Sequence, residues 1–312
     1  MEKLSVIVPC YNEQETINIF YKETEKIRKA DFPNVIFEYI FIDDGSTDAT
    51  LSLIRELHTA NAHVRYISFS RNFGKEAAIL AGLEAVQGGE FVTIMDADLQ
   101  DPPSMLRRMY DTLTADDYDQ VGMRRVTRKG EPPVRSFCAK MFYKVINRIS
   151  DIEMVDGARD FRLMKKYVAD AILKMPEKCR YSKGIFSYVG FRTKWLPYEN
   201  VERSAGESKW SFRQLLRYAI DGIISFSSFP LRLSGYASAL FLFTALILLI
   251  FALIQSSAVL AILTCGFFIG GTILAAVSVL GRYMAQTYAE TKRRPLYIIA
   301  ETEKNVSAKG DL

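Results

Sequence analysis

Phe91-Val92-Thr93-Ile94-Met95-Asp96-Ala97-Asp98-Leu99-Gln100-Asp101 is the stretch that decides the fold. Apolar and β-branched residues run to Met95 and then give way to carboxylates. That is the pattern of a buried strand surfacing at the mouth of a site. In an extended chain, residues two apart point the same way, so Asp96, Asp98 and Gln100 are expected to present oxygens to one side. Hard oxygen ligands at this spacing suit Mg2+ or Mn2+ carrying a substrate phosphate. The same residues also fit a strand end followed by a solvated acidic turn, with Pro102-Pro103 opening the next helix.

Upstream, the same arrangement recurs. Residues 4–9 read as a short buried strand that ends in Cys10-Tyr11-Asn12-Glu13, and a helical pattern covers 15–29. A second strand, 36–42, ends in Asp43-Asp44-Gly45-Ser46-Thr47-Asp48, before a helix over 49–59. A third, 64–69, leads into Ser70-Arg71-Asn72-Phe73-Gly74-Lys75 and a helix through Val86. Strands alternating with helices predict an α/β domain with a mostly parallel sheet. In such sheets ligands bind beyond the carboxyl ends of the strands. Tyr11, Asn12, Glu13, Asp43, Asp44, Lys75, Asp96 and Asp98 would converge there. No G-x-G-x-x-G follows the first strand and no P-loop is present, which disfavours a dinucleotide dehydrogenase or a P-loop nucleotidase.

Composition narrows the classes. The 312 residues are 24% charged and 49% apolar, but charge nearly vanishes between 233 and 281. A net charge of +4 is too small to indicate nucleic acid. Four dispersed cysteines and two histidines argue against a structural zinc site, a disulfide framework or a Cys/His nucleophile. The first residues run straight into a strand, so no signal peptide is expected and the soluble part is placed in the cytoplasm.

Three segments in order, Val8-Pro9-Cys10-Tyr11-Asn12-Glu13, Asp43-Asp44-Gly45-Ser46-Thr47-Asp48 and Asp96-Ala97-Asp98-Leu99-Gln100-Asp101-Pro102, resemble the family 2 glycosyltransferases of GT-A fold. The resemblance is greatest to the branch with dolichyl-phosphate mannose synthase and the bacterial polyprenyl-phosphate glucosyltransferases. It implies a Rossmann-like GT-A domain that binds a nucleotide sugar, with Pro9, Tyr11, Glu13 and Asp43 on base and ribose. Asn12, Asp44 and Lys75 join the nucleotide-sugar set. It implies Asp96, Asp98 and Gln100 around a divalent metal, Mg2+ or Mn2+, on the diphosphate.

Between 124 and 148 there are eight Lys or Arg and one acid, Glu131, interleaved with apolar residues. Alone this reads as a solvated basic helix; beside a membrane it suits anionic lipid. The resemblance implies that Arg124 and Arg135 hold the phosphate of a polyprenyl phosphate acceptor. In Gly157-Ala158-Arg159-Asp160-Phe161-Arg162-Leu163, it places Asp160 at the position of a candidate catalytic base. By residue type alone, Asp160 could equally pair with Arg159 or Arg162. Arg203-Ser204-Ala205-Gly206-Glu207-Ser208-Lys209-Trp210 resembles the family's R-x-x-G-x-S-K-[WY] segment, in which Arg203 and Lys209 would neutralise phosphate as the loop closes. The alternative there is a basic juxtamembrane loop.

Residues 211–228 carry apolar side chains at 212, 215, 216, 219, 220, 223 and 224, one helical stripe that fits an interfacial helix. Residues 235–254 are uncharged; at ~1.5 Å per residue they span about 30 Å, the hydrocarbon thickness. A second uncharged run covers 258–281, after the polar break Gln255-Ser256-Ser257. Arg232, Arg282, Lys292, Arg293 and Arg294 flank the pair, so the positive-inside rule places both outer ends in the cytoplasm. Gly266, Gly270, Gly271 and Ala275 allow close helix contacts within or between subunits. The tail from Glu301 is expected to be polar and mobile.

The expected organisation is a cytoplasmic GT-A catalytic domain (1–210), a juxtamembrane amphipathic helix (211–230), a two-helix transmembrane hairpin (231–283) and a cytoplasmic tail (284–312). The expected activity is transfer of one sugar, glucose first, from a UDP-sugar to undecaprenyl phosphate with inversion. Catalysis would rest on Asp98 and Asp160, in a multi-pass protein of the cell membrane. UDP-N-acetylglucosamine or GDP-mannose are the competing donors, and a non-catalytic nucleotide-binding membrane scaffold is the competing class. A processive synthase is disfavoured because its Q-x-x-R-W segment is absent. A homo-oligomer, and a flippase or a downstream membrane glycosyltransferase as partner, are expected; nucleic acid is not.

Overall fold

A computed structural model of the chain describes residues 2–126, 133–150, 152–175, 177–199, 212–254 and 258–305. The chain opens with β1 (Glu2–Cys10), α1 (Ile17–Asp31), β2 (Val35–Asp43), α2 (Thr50–Ala60), β3 (Val64–Phe69) and α3 (Lys75–Ala85). It continues through β4 (Phe91–Ile94), α4 (Met105–Ala115), β5 (Gln120–Arg125), α5 (Pro133–Ile149), β6 (Ala158–Lys165), α6 (Lys166–Leu173), α7 (Ser182–Tyr188) and β7 (Thr193–Tyr198). Three helices follow, α8 (Phe212–Phe226), α9 (Phe229–Ile254) and α10 (Ala258–Thr291), and then β8 (Ile299–Thr302).

Among the described residues the strands form one sheet in the order β7-β5-β6-β4-β1-β2-β3-β8. The N-terminal half follows the α/β expectation: β1 pairs in parallel with β2 and β4, and β2 with β3. The sheet is mixed rather than mostly parallel, because β6 runs antiparallel between β4 and β5 and β8 runs antiparallel on β3. The β6 reversal brings Asp160 to the edge where β4 ends, which a sequence reading of isolated segments does not reveal.

Period-two alternation divides the core between the two faces of the sheet. Leu4, Val6 and Val8 join Phe37, Tyr39 and Phe41 under Phe20 of α1, Ile54 of α2 and Leu106 of α4. Ile7, Ile40 and Ile94 face the other way, under α3, α6 and α7. These central strands are covered on both sides, as their unbroken apolar runs require.

α8 covers the segment expected to be helical, with the side chains of 212–218 outside the described residues, and its C-terminal end docks on the domain: Ile223 and Phe226 pack with Ile146, Met154 and Tyr181. α9 and α10 are long and apolar enough to cross a membrane, with mean hydropathies of 1.7 and 1.5 over their apolar windows. They are not core helices of a soluble domain, since Leu240, Phe243 and Leu274 are each more than half exposed. Phe241 meets Phe268 edge to face at 4.2 Å between the two helices. α9 begins six residues before the uncharged run, and α10 continues ten residues past its end, through Arg282, to Thr291.

The expectation of a mobile tail from Glu301 is corrected for 301–305; residues 306–312 lie outside the described residues. Ile299–Thr302 is the outer strand of the sheet, and Glu301 is buried beneath a forked pair with Arg55, whose Nε lies 2.8 Å from Oε1. Opposite charge and β pairing to β3 overcome the polar composition that suggested disorder.

Candidate active site

The carboxyl ends of β1, β2 and β4 lie side by side, and their loops are tied together by side-chain hydrogen bonds. Asn12, held at φ 53°, donates its backbone N–H to Ser46 Oγ (2.9 Å) and accepts the Thr47 N–H on Oδ1 (2.8 Å). The Glu13 N–H donates to Thr50 Oγ1 at 2.8 Å, and the Thr16 hydroxyl donates to Glu13 Oε2 at 3.0 Å. Asp43 is buried and accepts from the Ser68 hydroxyl (2.7 Å) and the Ser46 N–H (3.1 Å). Pro9, next to last in β1, and Tyr11, just past its end, complete this wall.

Asp44 binds the neighbouring loop. Its carboxylate accepts the Phe73 N–H at 2.6 Å and the Gly74 N–H at 2.9 Å. Burial pushes the Asp44 carboxyl up to about 6, against the pull of those two amides. Gly45 makes the approach possible. It sits at φ +66°, and a Cβ there would lie 2.3 Å from the backbone carbon of Arg71.

That loop delivers Lys75, the first residue of α3. Its ammonium lies 2.8 Å from Asp96 Oδ1, 2.9 Å from Asp96 Oδ2 and 2.6 Å from Asp160 Oδ2. One cation thus links the end of β4 to β6. Burial opposes the charge on Lys75, but Asp160 and Asp96 outweigh it and raise its pKa. Burial likewise opposes ionisation of Asp160, yet Lys75, Lys183 and Arg162 hold its carboxyl well below the usual range. Asp160 Oδ1 is buried and has no hydrogen-bond partner among the described residues.

The D-x-D segment is not the extended ladder its spacing predicted. β4 ends at Ile94, and Leu99 takes a left-handed φ of 59°. A leucine there costs about 1–3 kcal/mol and persists only where its surroundings impose it. The turn folds the Gln100 N–H back onto Asp98 Oδ1 at 3.1 Å. The one-sided presentation of Asp96, Asp98 and Gln100 therefore fails as an argument, because alternation stops where the strand stops. Asp101 turns inward: it is buried and accepts from Arg159 Nε (3.0 Å) and the Tyr198 hydroxyl (2.8 Å). Arg159 is thereby engaged with Asp101, and the partner of Asp160 is Lys75, not Arg159 or Arg162.

Among the described residues, no three His, Cys, Asp or Glu side chains are grouped as a metal cage. The donor set nonetheless fits a hard divalent cation. Asp96 already draws a positive charge to both oxygens, and Mg2+-type ions take one or two carboxylates with the remaining sites left to water and substrate phosphate.

The acceptor set is only partly placed. Arg124 lies opposite Ala158 at the same sheet edge and donates from Nε to the Asp156 carbonyl at 3.0 Å. Arg135 belongs to α5, its side chain outside the described residues, and Arg203 and Lys209 lie wholly outside them. Sequence reasoning missed Lys183, whose charge helps hold the Asp160 carboxyl low, and Tyr181, whose hydroxyl pKa is pushed up by burial and by the nearby Asp160 charge. It also missed Arg162, which is buried under Phe186 with its guanidinium 3.5 Å from the ring centroid. Lys183 and Tyr181 stand in no recognisable motif, and the packing of α7 on β6 is what brings them near; Arg162 lies in the segment quoted for Asp160, but its burial carries no sequence signal.

The family model described as glycosyl transferase family 2 matches residues 5–173, the span that carries all of this geometry up to α6. The chain belongs to glycosyl transferase family 2. The CsbB protein of Bacillus subtilis (strain 168) is 42% identical to this glycosyltransferase over 307 residues, covering 96% of this chain and 91% of that protein. The prophage bactoprenol glucosyl transferase homolog of Escherichia coli (strain K12) is 39% identical over 310 residues, covering 97% and 100%. Among solved structures, glucosyl-3-phosphoglycerate synthase from Mycobacterium tuberculosis, in complex with Mn2+, UDP and phosphoglyceric acid, superposes with a TM-score of 0.50. It shares 16% identity over 72% of this chain and 76% of that one, a likeness of fold. The GT-A-like sheet of this family 2 glycosyltransferase is therefore the one its first three strand-end motifs implied.

Proposed function

We propose that this glycosyltransferase transfers glucose from UDP-glucose to a polyprenyl phosphate at the cytoplasmic face of a membrane, inverting the anomeric centre to give a β-linked lipid phosphate sugar. The observation that carries this reading is the extent of the likeness. The bactoprenol glucosyl transferase homolog matches 97% of this chain, so the match includes the exposed apolar helices as well as the catalytic sheet. A soluble acceptor would give those helices no task; an acceptor that cannot leave the bilayer does.

The chemistry suits the groups present. A phosphate oxygen of the acceptor forms the new bond to the anomeric carbon while the bond from that carbon to the UDP oxygen breaks, and UDP leaves with the electron pair. The second pKa of a phosphate monoester is about 6, so the nucleophile is already largely dianionic near neutral pH. Asp160, held low by its cationic neighbours, is a weak base, and its task in this reading is to accept a hydroxyl of the donor sugar on the unpartnered Oδ1, which sets the anomeric carbon against the acceptor. Asp96 and Asp98 would hold Mg2+ or Mn2+, which supplies charge stabilisation to the departing diphosphate. Pro9, Tyr11, Asn12, Glu13, Asp43 and Asp44 form the nucleotide wall. Arg124, Arg135, Arg203 and Lys209 are assigned to acceptor and leaving phosphates.

The order of domains supports the placement. β8 pairs with β3 after α9 and α10, so strands before and after the hairpin belong to one sheet, which supports both ends lying on one side of the membrane. Lys292, Arg293 and Arg294, just past α10, support the cytoplasm as that side. The product then needs another protein to turn it across the bilayer or consume it.

The test is a donor panel on the full chain in lipid bilayers with Mn2+ and undecaprenyl phosphate. UDP-glucose should label the organic phase at a rate at least about tenfold above UDP-N-acetylglucosamine and GDP-mannose, the discrimination of about 1.4 kcal/mol that one lost polar contact yields. Preference for either other donor overturns the glucose assignment. No labelled lipid from any donor overturns the transferase reading in favour of a scaffold.

A further inference from the structure

The chain leaves α10 and comes straight back to the catalytic sheet. Arg293 turns it off the helix in a left-handed conformation, φ 48°, and its N–H bonds the Glu290 carbonyl at 3.1 Å. Seven residues, 292–298, separate α10 from β8, a reach of at most about 25 Å. The last turns of α10 are also held from the domain side: Lys178 donates its N–H to Glu290 Oε1 at 2.6 Å and its ammonium to the Ala289 carbonyl at 3.0 Å.

Where the returning segment lands, it meets the loop that builds the nucleotide site. The Ser70 N–H donates to the Ile298 carbonyl at 2.9 Å. The Tyr297 ring stacks on Phe69 at 4.7 Å with an interplanar angle of 18°, and Phe69 meets Phe73 edge to face at 5.8 Å. Phe73 and Gly74 are the residues whose amides bind Asp44, and the next residue is Lys75. The Tyr297 hydroxyl donates to Glu84 at the far end of α3, the helix that Lys75 begins. Tyr297 thus touches both routes by which Lys75 and the Asp44 clamp are held.

We propose that Tyr297, carried by the segment that returns from α10, is a positioning residue for the nucleotide site. Its stack on Phe69, and through Phe69 the edge-to-face contact with Phe73, fixes the 70–75 loop, so that the register of the second apolar helix against the domain sets how well the Asp44 and Lys75 side receives a nucleoside diphosphate. The inference rests on the nucleotide-sugar reading above. A plain edge cover would also protect β3, whose outer backbone groups are otherwise open to pairing. Edge protection needs the β8 hydrogen bonds and the Glu301 pair with Arg55; it does not need an aromatic stack that runs into the Asp44 loop.

The experiment measures UDP binding by titration calorimetry, with Mn2+, on the full chain in bilayer discs. Tyr297→Ala should raise the UDP Kd about tenfold, as expected for roughly 1.4 kcal/mol of lost preorganisation. Tyr297→Phe keeps the stack and should stay within about twofold of wild type. Tyr297→Leu fills the space without a stacking ring and should weaken binding as Tyr297→Ala does; it carries the test if the alanine variant does not fold. In turnover, the donor KM should rise with kcat nearly unchanged, the mark of lost ground-state binding. Wild-type Kd in the folded Ala or Leu variant, however far its melting temperature falls, overturns the inference and leaves the donor reading intact, as does failure of Tyr297→Phe to restore binding. Failure of the wild-type protein to bind UDP overturns the donor reading and this inference with it.

Discussion

A carboxylate taken out of water loses several kcal/mol of hydration unless a partner compensates. Asp160 has that partner in Lys75, 2.6 Å away. Removing it lets burial, the largest influence on this carboxyl, act unopposed by its nearest cation. Lys75→Met should therefore raise the Asp160 pKa, and the acid limb of the kcat profile should move to higher pH. The sign follows from charge: without the ammonium, the neutral acid is favoured to a higher pH than in wild type. An acid limb that stays in place would show that Asp160 does not set it. At this scale the sequence was informative where a motif is contiguous. Asp43 closes β2, and Asp44, Asp96 and Asp98 follow strand ends; all four are legible from the abrupt change from apolar to acidic residues. Lys183, Arg162 and the pairing of Asp101 with Arg159 were not legible, because each depends on β6 reversing direction between β4 and β5.

Elements are held to the site by close approaches that glycine allows. In α7, a Cβ on Gly184 would lie 2.3 Å from Cε2 of Phe226 at the end of α8. Helix propensity alone would favour alanine there by about 1 kcal/mol. Overpacking of a fixed ring costs about 1–3 kcal/mol, so the clash should win or at least cancel the gain. Gly184→Ala is expected to lower the unfolding temperature of the full chain and to loosen α8 from Tyr181, read as faster amide exchange in α8. A rise in unfolding temperature would contradict this packing. The apolar stripe of α8 was readable from its period, but its docking on Tyr181 and Met154 was not. Likewise, β8 was hidden: four residues with one buried Glu carry no strand signal until Arg55 and the open edge of β3 are brought beside them.

Across the whole molecule, one open sheet takes strands from both sides of the hairpin in the chain, β1 to β7 before α9 and β8 after α10. Charge flanking α9 and α10 was legible in the sequence, and β8 adds a geometric reason for the same arrangement, since its pairing with β3 keeps both ends of the hairpin with the sheet. A Ser256→Cys variant, placed between the two apolar helices, should react in intact cells with a membrane-impermeant maleimide. A cysteine at Thr302 should react only after permeabilisation and unfolding of the sheet. The reverse pattern would contradict the orientation. The acceptor half of the site was the least legible part. The basic segment 124–148 and the Arg203 to Trp210 loop were recognised by residue type and resemblance, and of their named arginines only Arg124 is placed at the sheet edge.

The account as a whole turns on where the sugar goes. The most direct measurement is mass spectrometry of the lipid fraction after the purified chain, in bilayers with Mn2+, is given UDP-glucose and undecaprenyl phosphate, with released UDP counted in the same reaction. The account predicts one hexose added per undecaprenyl phosphate, β-linked to the phosphate, with one UDP released for each, and loss of both signals in Asp98→Ala. UDP released without a glucosylated lipid, or a product whose glucose is α-linked, would contradict it.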